Sequence, residues 1–276
     1  MLARPHGRLH YEIYGQGDAV IFLNGFASGI SNWYPVIRGI RNDYQCVLYD
    51  YVGTGDSPSF EDYEFSLESY CADLLALIDA IGQKSVHLVG YSMGGWIAQY
   101  FVAQRPSKVI SLTLVNTSPK VSLHQYWVIS HFLNVLRDSD IGVFSKLMFI
   151  SYYSPEYFDK NAEKLDRMKN LADLAFAKQK KENWMRIFNS FMSFNVESSF
   201  EKFNIPTLLV SGEQDFLCPR TTALRFKSLM ADLKWIELKS VGHAIPMERY
   251  QELRAAIAEF LPESISMISM PPTSAA

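Results

Sequence analysis

The segment Ser85-Val-His-Leu-Val-Gly-Tyr-Ser-Met-Gly94 decides how this chain folds. Residues 85–89 form a short apolar run typical of a buried strand, and a helical pattern starts at Met93. A strand joined to a helix by a sharp turn around Ser92 is the context of a nucleophile elbow, which exposes a serine hydroxyl at its tip. The glycines two residues before and after Ser92 are expected there because a Cβ would clash with the neighbouring strand or helix.

Short apolar runs recur along the rest of the chain. Because they are almost continuously hydrophobic, they are typical of strands buried on both faces. The runs are Ala19–Leu23, Gln45–Tyr49, Ser85–Val89, Ile110–Val115, Ile205–Val210 and Leu233–Leu238. The segment Arg8–Tyr14 instead alternates polar and apolar residues, which predicts an edge strand exposed on one side.

Helical patterns lie between these strands. In Ser66–Ile81 the apolar residues fall on one helical face, Ser66 is suited to cap the first turn, and Gly82 is suited to end the helix. Further helices are predicted over Met93–Gln104 and Gln251–Leu261. The alternation predicts an α/β fold in which helices cover both faces of a mostly parallel central sheet.

Residues 120–203 break the alternation, since they show helical patterns and almost no strand signal. This stretch holds 16 aromatic residues in 84 positions. We interpret it as a helical cap, or lid, that roofs an apolar pocket. The predicted division is therefore a core domain of residues 1–119 and 204–262, a cap of residues 120–203, and a flexible tail of residues 263–276.

The composition excludes several classes of protein. The chain has 26 basic and 29 acidic residues, a net charge of −3 that argues against a nucleic-acid partner. No apolar run approaches the roughly 20 residues that span a bilayer, so no integral membrane segment is expected. The three cysteines lie far apart and the N-terminus is polar, which together predict a cytoplasmic protein. No metal-ligand motif is present, and we expect no metal or cofactor.

A serine hydroxyl needs a base, and the base needs an acid to orient it. Of six histidines, His243 follows the last predicted strand, where the active sites of parallel sheets are built. Asp215 follows the preceding strand, with Glu213 as a rival acid two residues away. The chain order Ser92, Asp215, His243 is the order of α/β-hydrolases.

Other polar residues of the chain are less suited to these roles. Asn116 follows an earlier strand but cannot act as an acid. His87 lies inside a predicted buried strand and is interpreted as structural. His124 and His131 lie in the predicted cap, where packing or surface roles are more common than catalysis.

These motifs together resemble the α/β-hydrolase superfamily across about residues 8–262, in particular small capped esterases and lactonases. Four landmarks match in order. They are Leu23-Asn-Gly-Phe26, Asp50-Tyr-Val-Gly-Thr-Gly-Asp-Ser57, Gly90–Gly94, and the loops that carry Asp215 and His243. By this resemblance the backbone N–H groups of Phe26 and Met93 form the oxyanion hole. One departure is Asn24, since this family usually has histidine there.

The resemblance implies a serine hydrolase that cleaves an ester, lactone or thioester of a mostly apolar small molecule. Asn24 followed by glycine also resembles hydroxyacyl transferases and lipid-precursor synthases of the superfamily, so acyl transfer is an alternative. The Asp50-Tyr-Val-Gly loop resembles that of ligand sensors built on this fold, a further alternative. Fold alone does not separate them. Trp33, Trp96, Trp127 and Phe144 are the candidate substrate-binding residues, and the sequence does not indicate an oligomeric state.

Overall fold

The computed structural model describes residues 1–5, 7–58, 62–177 and 180–269, without the side chains of 201, 202 and 263–269. Within these residues the strands are β1 (Leu2–Arg4), β2 (Gly7–Leu9), β3 (Tyr11–Tyr14), β4 (Ala19–Leu23), β5 (Gln45–Tyr49), β6 (Val86–Tyr91), β7 (Val109–Val115), β8 (Thr207–Gly212) and β9 (Lys234–Leu238). The predicted strands at 19–23 and 45–49 have the observed bounds, and the later ones are shifted by one or two residues at their ends.

Seven strands form one sheet in the order β3-β5-β4-β6-β7-β8-β9, and β1 pairs with β2 in a small separate sheet. Only β3 runs antiparallel to its neighbour in the larger sheet. Strands β4, β6 and β8 are buried at every residue, because helices cover both of their faces. The prediction of a mostly parallel sheet is confirmed.

The helices are α1 (Tyr34–Ile40), α2 (Leu67–Ala80), α3 (Met93–Gln104), α4 (Leu123–Asp138), α5 (Ile141–Tyr152), α6 (Pro155–Lys160), α7 (Leu165–Ala177), α8 (Lys181–Phe191), α9 (Arg220–Leu229), α10 (Ile245–Glu248) and α11 (Tyr250–Ser269). Residues of α1 and α11 share one hydrophobic cluster, and residues of α2, α3 and α9 share the other. Among the described residues, no helix combines the length and the apolar character that crossing a membrane requires.

Two sequence expectations need correction. The segment predicted as one edge strand, Arg8–Tyr14, is divided between β2 and β3. Of these two, β3 is an edge strand of the main sheet and β2 belongs to the small separate sheet. The last helix continues to Ser269, eight residues past its predicted end. The flexible tail of 263–276 stays a prediction. Residues 270–276 lie outside the described residues. By contrast, Ser66 caps α2 as expected, accepting a hydrogen bond of 3.1 Å from the Ser69 N–H.

The segment 120–203 is helical, as expected of a cap. It contains α4 to α8 and two short 3₁₀ helices, and its β structure within the described residues is one isolated bridge, Lys120 to Asn195. Its aromatic side chains pack on one another and on the core: Phe188 stacks on Phe26 at 3.8 Å between ring centroids. One hydrophobic cluster therefore runs from α2 and α3 into the cap helices. The boundaries at 119/120 and 203/204 remain predictions.

His87 is a structural residue of β6, fully buried, with Nδ1 2.7 Å from the Ser111 hydroxyl. Burial lowers the pKa of His87 to about 4, against about 6.5 in an unfolded chain. The neutral ring therefore contributes stability that is complete above pH 6.5 and is lost as the pH falls towards 4. We expect this group alone to lower the free energy of unfolding by about 3 kcal/mol between these values.

Urea denaturation between pH 4 and 7 measures this effect, with His87→Gln expected to show a correspondingly smaller loss. His131, exposed on α4, offers the matched control, and His131→Gln should follow the wild type. The prediction would be contradicted if the free energy of unfolding fell by the same amount between pH 7 and 4 in wild type and in His87→Gln.

Candidate active site

Ser92 lies at the turn between β6 and α3 in a backbone conformation that side chains rarely adopt, with φ of +52°. The Ser92 N–H donates to the Val115 carbonyl at 2.9 Å, which fixes the turn against β7. A Cβ at Gly90 would lie 2.6 Å from the Gly94 carbonyl oxygen, and one at Gly94 would lie 2.4 Å from that of Leu23. Glycine is therefore required at both positions because neighbouring backbone atoms leave no room for a Cβ. The surrounding contacts keep Ser92 in its strained backbone conformation.

The three side chains chosen from the sequence meet at the carboxyl edge of the sheet, after β6, β8 and β9. His243 Nε2 lies 2.8 Å from Ser92 Oγ, and His243 Nδ1 lies 2.8 Å from Asp215 Oδ2. Both His243 and Asp215 are buried. The other Asp215 oxygen, Oδ1, accepts the backbone N–H groups of Leu217 and Cys218, each at 2.8 Å. These two donors leave Oδ2 as the oxygen that faces the imidazole.

The rival residues have other partners. Glu213 accepts hydrogen bonds from Lys239 and from the Ser240 N–H, and the Lys239 ammonium lowers the pKa of this carboxyl. His124 packs edge-on against Phe216. The structure therefore places Asp215, the acid that the sequence favours, against His243, whereas Glu213 is paired with Lys239.

Asn116 is excluded as the acid but holds the site together. Its Nδ2 donates to the carbonyls of Gly242 and His243 at 3.0 and 2.7 Å, and its Oδ1 accepts the Gly212 N–H at 2.8 Å. The side chain therefore ties the loop of the histidine to the strand that precedes the acid. Sequence reasoning missed this role, although the position at the end of a strand in the centre of the sheet was noticed.

Glu248 is a second residue that the sequence did not mark. Its buried carboxylate accepts the Gly242 N–H at 3.1 Å, the Ser154 N–H at 2.9 Å and the Ser154 hydroxyl at 2.6 Å. Burial raises the pKa of this carboxyl. These bonds join the histidine loop to the cap, since Ser154 caps α6.

Phe26 and Met93, expected to form the oxyanion hole, line one cavity together with Ser92 and His243. Met93 is the first residue of α3, where N–H groups have no partner within the helix. Among the described residues, neither backbone N–H forms a hydrogen bond within the protein. Both are therefore available to an oxygen bound at Ser92, and the start of α3 favours negative charge there.

Asn24 lies in the core and does not line this cavity. Its Oδ1 accepts the Trp33 indole N–H at 2.7 Å, and its Nδ2 donates to the Tyr49 carbonyl at 2.8 Å. The Tyr51 hydroxyl donates to the Asn24 carbonyl at 2.8 Å. The side chain thus anchors the loop that carries Phe26, and its contacts are those of a structural residue.

The cavity beside Ser92 has a volume of about 60 Å³ and is partly open to the outside. Helices of the cap and loops of the core line it, and most of its wall is hydrocarbon. The lining residues are Phe26, Ser92, Met93, Trp96, Gln125, Val128, Ile129, Phe132, Met148, Tyr152, Phe188, Phe191, Leu217, Cys218 and His243.

Of the four predicted substrate-binding residues, only Trp96 lines the cavity. Trp33 is buried on the other side of the sheet against Phe22, with its indole N–H given to Asn24. Trp127 is 66% exposed, because it lies two residues from Gln125 and so on the opposite face of α4. Phe144 is fully buried within the cap, 5.2 Å from Phe176 between ring centroids. These three side chains therefore do not line the cavity beside Ser92.

Cys218 brings a thiol close to the triad, and its Sγ lies within 4.8 Å of ligand atoms of Asp215 and His243. Such a set could in principle hold a metal ion. Here the carboxylate and the imidazole are hydrogen-bonded to each other, and burial raises the pKa of the Cys218 thiol well above its usual range. A neutral thiol is a poor metal ligand and a poor nucleophile, so the arrangement favours the serine chemistry.

Comparison with known proteins agrees with this fold. A family model described as alpha/beta hydrolase fold matches residues 18–250. The chain therefore belongs to the alpha/beta hydrolase family, and it is a hydrolase of that fold.

Relatives and neighbours are distant but cover almost the whole chain. A protein of Stutzerimonas stutzeri, named as a candidate carbamate hydrolase, RutD, is 23% identical over 265 residues, which are 95% of this chain and 99% of that protein. The α/β hydrolase MGS-M2, from a Medee basin deep-sea metagenome library, superposes with a TM-score of 0.87 at 20% identity, over 93% of this chain and 94% of that one. The enol-lactonase of Burkholderia xenovorans superposes with a TM-score of 0.83 at 18% identity, covering 93% and 97%.

Proposed function

We propose that this protein is a serine hydrolase that cleaves a carboxylic ester, lactone or thioester of a small, mostly apolar molecule through an acyl-enzyme. One observation carries the proposal. The hydrogen-bonded chain from Ser92 through His243 to Asp215 ends at a cavity whose wall is mostly hydrocarbon. A polar chain of this kind at the floor of an apolar pocket is what acyl transfer to serine requires.

The proposed reaction follows from these contacts. Ser92 Oγ attacks the acyl carbonyl while His243 Nε2 takes its proton, and Asp215 stabilises the imidazolium that forms. The N–H groups of Phe26 and Met93 bind the oxyanion. His243 then protonates the leaving group, and a water deprotonated by the same nitrogen attacks the acyl-enzyme and releases the acid.

The names of similar proteins support an acyl bond but not one bond type. The Burkholderia neighbour is named for a lactone and the Stutzerimonas relative for a carbamate. Because the wall is mostly hydrocarbon, we favour an ester, lactone or thioester that carries no charged group in the cavity. The proposed substrate is thus a small acyl compound.

We also propose a cytoplasmic setting. The three cysteines are free and buried, which is consistent with a reducing compartment.

Acyl transfer is the second candidate. The Asn24 side chain is engaged in the core, so it supports acyl transfer only by its resemblance and not by a contact with the cavity. What favours it is the mostly hydrocarbon wall of the cavity, which would disfavour water beside an acyl-enzyme and leave it to another acceptor.

The partition of the acyl group tests the proposal. Wild-type protein and p-nitrophenyl butanoate, with butanol added at increasing concentration, should give many turnovers with butanoic acid equal to the p-nitrophenol released. Both products are measured by absorbance and chromatography. Butyl butanoate replacing the acid at low millimolar butanol would show a transferase instead. One burst equal to the enzyme concentration, followed by no further release, would indicate a ligand sensor.

A further inference from the structure

Gln125 is the one side-chain amide among the described residues that line the cavity. It is only 4% exposed and lies in the first turn of α4. Most of the other polar groups in the wall are already engaged within the protein. The Tyr152 hydroxyl donates to the Phe26 carbonyl at 3.2 Å, and the Trp96 indole N–H donates to the Ser118 hydroxyl at 2.9 Å.

The orientation of this amide is fixed by its role in capping α4. The Ser122 N–H donates to Gln125 Oε1 at 3.1 Å, so the oxygen must face the helix end. Gln125 Nε2 then lies on the other side, 3.4 Å from the Sγ of Cys218, which itself lines the cavity. Because a backbone donor determines which atom is oxygen, the assignment of Nε2 is not arbitrary.

The N–H groups of Gln125 Nε2 have no strong hydrogen-bond acceptor among the described residues. The amide group carries two N–H bonds, and among the described residues its one acceptor is a thiol sulfur, which is a weak acceptor. A buried N–H without a good acceptor is costly in an apolar environment. An oxygen on a bound molecule would satisfy it.

We propose that Gln125 is a specificity-determining residue that donates a hydrogen bond to an acceptor oxygen in either the acyl part or the alcohol part of the substrate. This inference rests on the proposed hydrolase function and narrows its substrate class. The preferred substrate is a short ester or lactone with an ether, carbonyl or hydroxyl oxygen besides those of the scissile bond. A site with a polar donor of this kind discriminates against the all-carbon analogue, because that analogue leaves the N–H unpaired.

Replacing single methylenes of a substrate by oxygen tests this directly. Butyl pentanoate is compared with butyl ethoxyacetate, butyl 3-methoxypropanoate and 2-methoxyethyl pentanoate, and acid release is titrated at constant pH. For one of the oxygen-containing esters, the ratio of its kcat/KM to that of butyl pentanoate should fall about threefold to tenfold in Gln125→Leu, the loss expected for one neutral hydrogen bond. Because the ratio is compared between variants, differences in the intrinsic reactivity of the esters cancel.

Ser122→Ala is the matched control, since it removes the other half of the same helix cap and leaves the amide in place. Its ratios should stay within about twofold of wild type, as expected for a residue outside the cavity. Gln125→Glu is the second variant, because it keeps an acceptor for the Ser122 N–H but has no N–H of its own when ionised. It should lose the preference as Gln125→Leu does.

The outcomes separate this inference from the proposed function. Hydrolysis of butyl pentanoate at wild-type rates by Gln125→Leu, with all ester ratios unchanged, would overturn the role of Gln125 and leave the hydrolase intact. Equal loss of the preference in Ser122→Ala would also overturn it, since helix capping would then be the cause. No hydrolysis of any of the four esters by the wild type would overturn this inference, and the proposed function would fail as well only if p-nitrophenyl butanoate were also left intact.

Discussion

Ser92→Ala is expected to lower kcat for ester hydrolysis by about 10⁴- to 10⁶-fold, the range seen when the nucleophile of a serine triad is removed. The serine hydroxyl is the group that His243 Nε2 contacts at the cavity floor, so alanine leaves the base without a nucleophile to activate. The residual rate would come from the oxyanion donors and the cavity alone. A fluorophosphonate probe, which reacts with activated serines, should label wild type and not the variant.

Loss of activity in Ser92→Ala should not reflect unfolding. Alanine at φ of +52° is as strained as serine, so the free energy of unfolding should change by less than about 1 kcal/mol. Ser151→Ala is a suitable control because Ser151 donates to the Leu147 carbonyl, away from the triad, and should keep both labelling and turnover. Unchanged turnover in Ser92→Ala would remove the basis of the proposed function.

Asp215→Asn should lower kcat by about 10⁴-fold while the fold is kept. The reason is the fixed position of each carboxylate oxygen. The N–H groups of Leu217 and Cys218 require an oxygen at the Oδ1 position, so the amide NH₂ of asparagine must occupy the Oδ2 position. It would then donate to His243 Nδ1, leaving the proton on Nε2, which could no longer accept the proton of Ser92.

Glu213→Gln is the matched control for Asp215→Asn, because it changes a carboxylate two residues away that is paired with Lys239. Its kcat should stay within about twofold of wild type, as for other surface changes away from the site. Initial rates with p-nitrophenyl butanoate measure both variants. A large loss in Glu213→Gln with normal rates in Asp215→Asn would reverse the assignment of the acid.

The features that could be predicted from the sequence are those that short segments specify. Strands such as 19–23 and 45–49 are buried on both faces, so their composition alone marks them. The glycines around Ser92 are required by backbone contacts within a turn, and the alternation of strands and helices places the turn at the carboxyl edge of a parallel sheet. His243 and Asp215 can be predicted because they follow strands that end at this same edge.

The lining of the cavity could not be predicted in the same way. Trp33, Trp127 and Phe144 are aromatic like Trp96, but one packs under the sheet, one faces solvent and one fills the cap. Apolar side chains form no directional interactions, and the hydrophobic effect favours their burial in any apolar surroundings. Which of them meets a cavity depends on how the helices pack.

The sequence by itself therefore determined the mostly parallel sheet and the sharp turn at Ser92, and it predicted the three polar side chains proposed as the triad. Tertiary structure decided that Asn24 anchors a loop from within the core, that Asn116 and Glu248 hold the histidine loop, and that Gln125 lines the cavity. The physical reason is the range of the interactions. Turn geometry and strand burial act between near neighbours, whereas these four polar groups find partners on segments that only folding brings together.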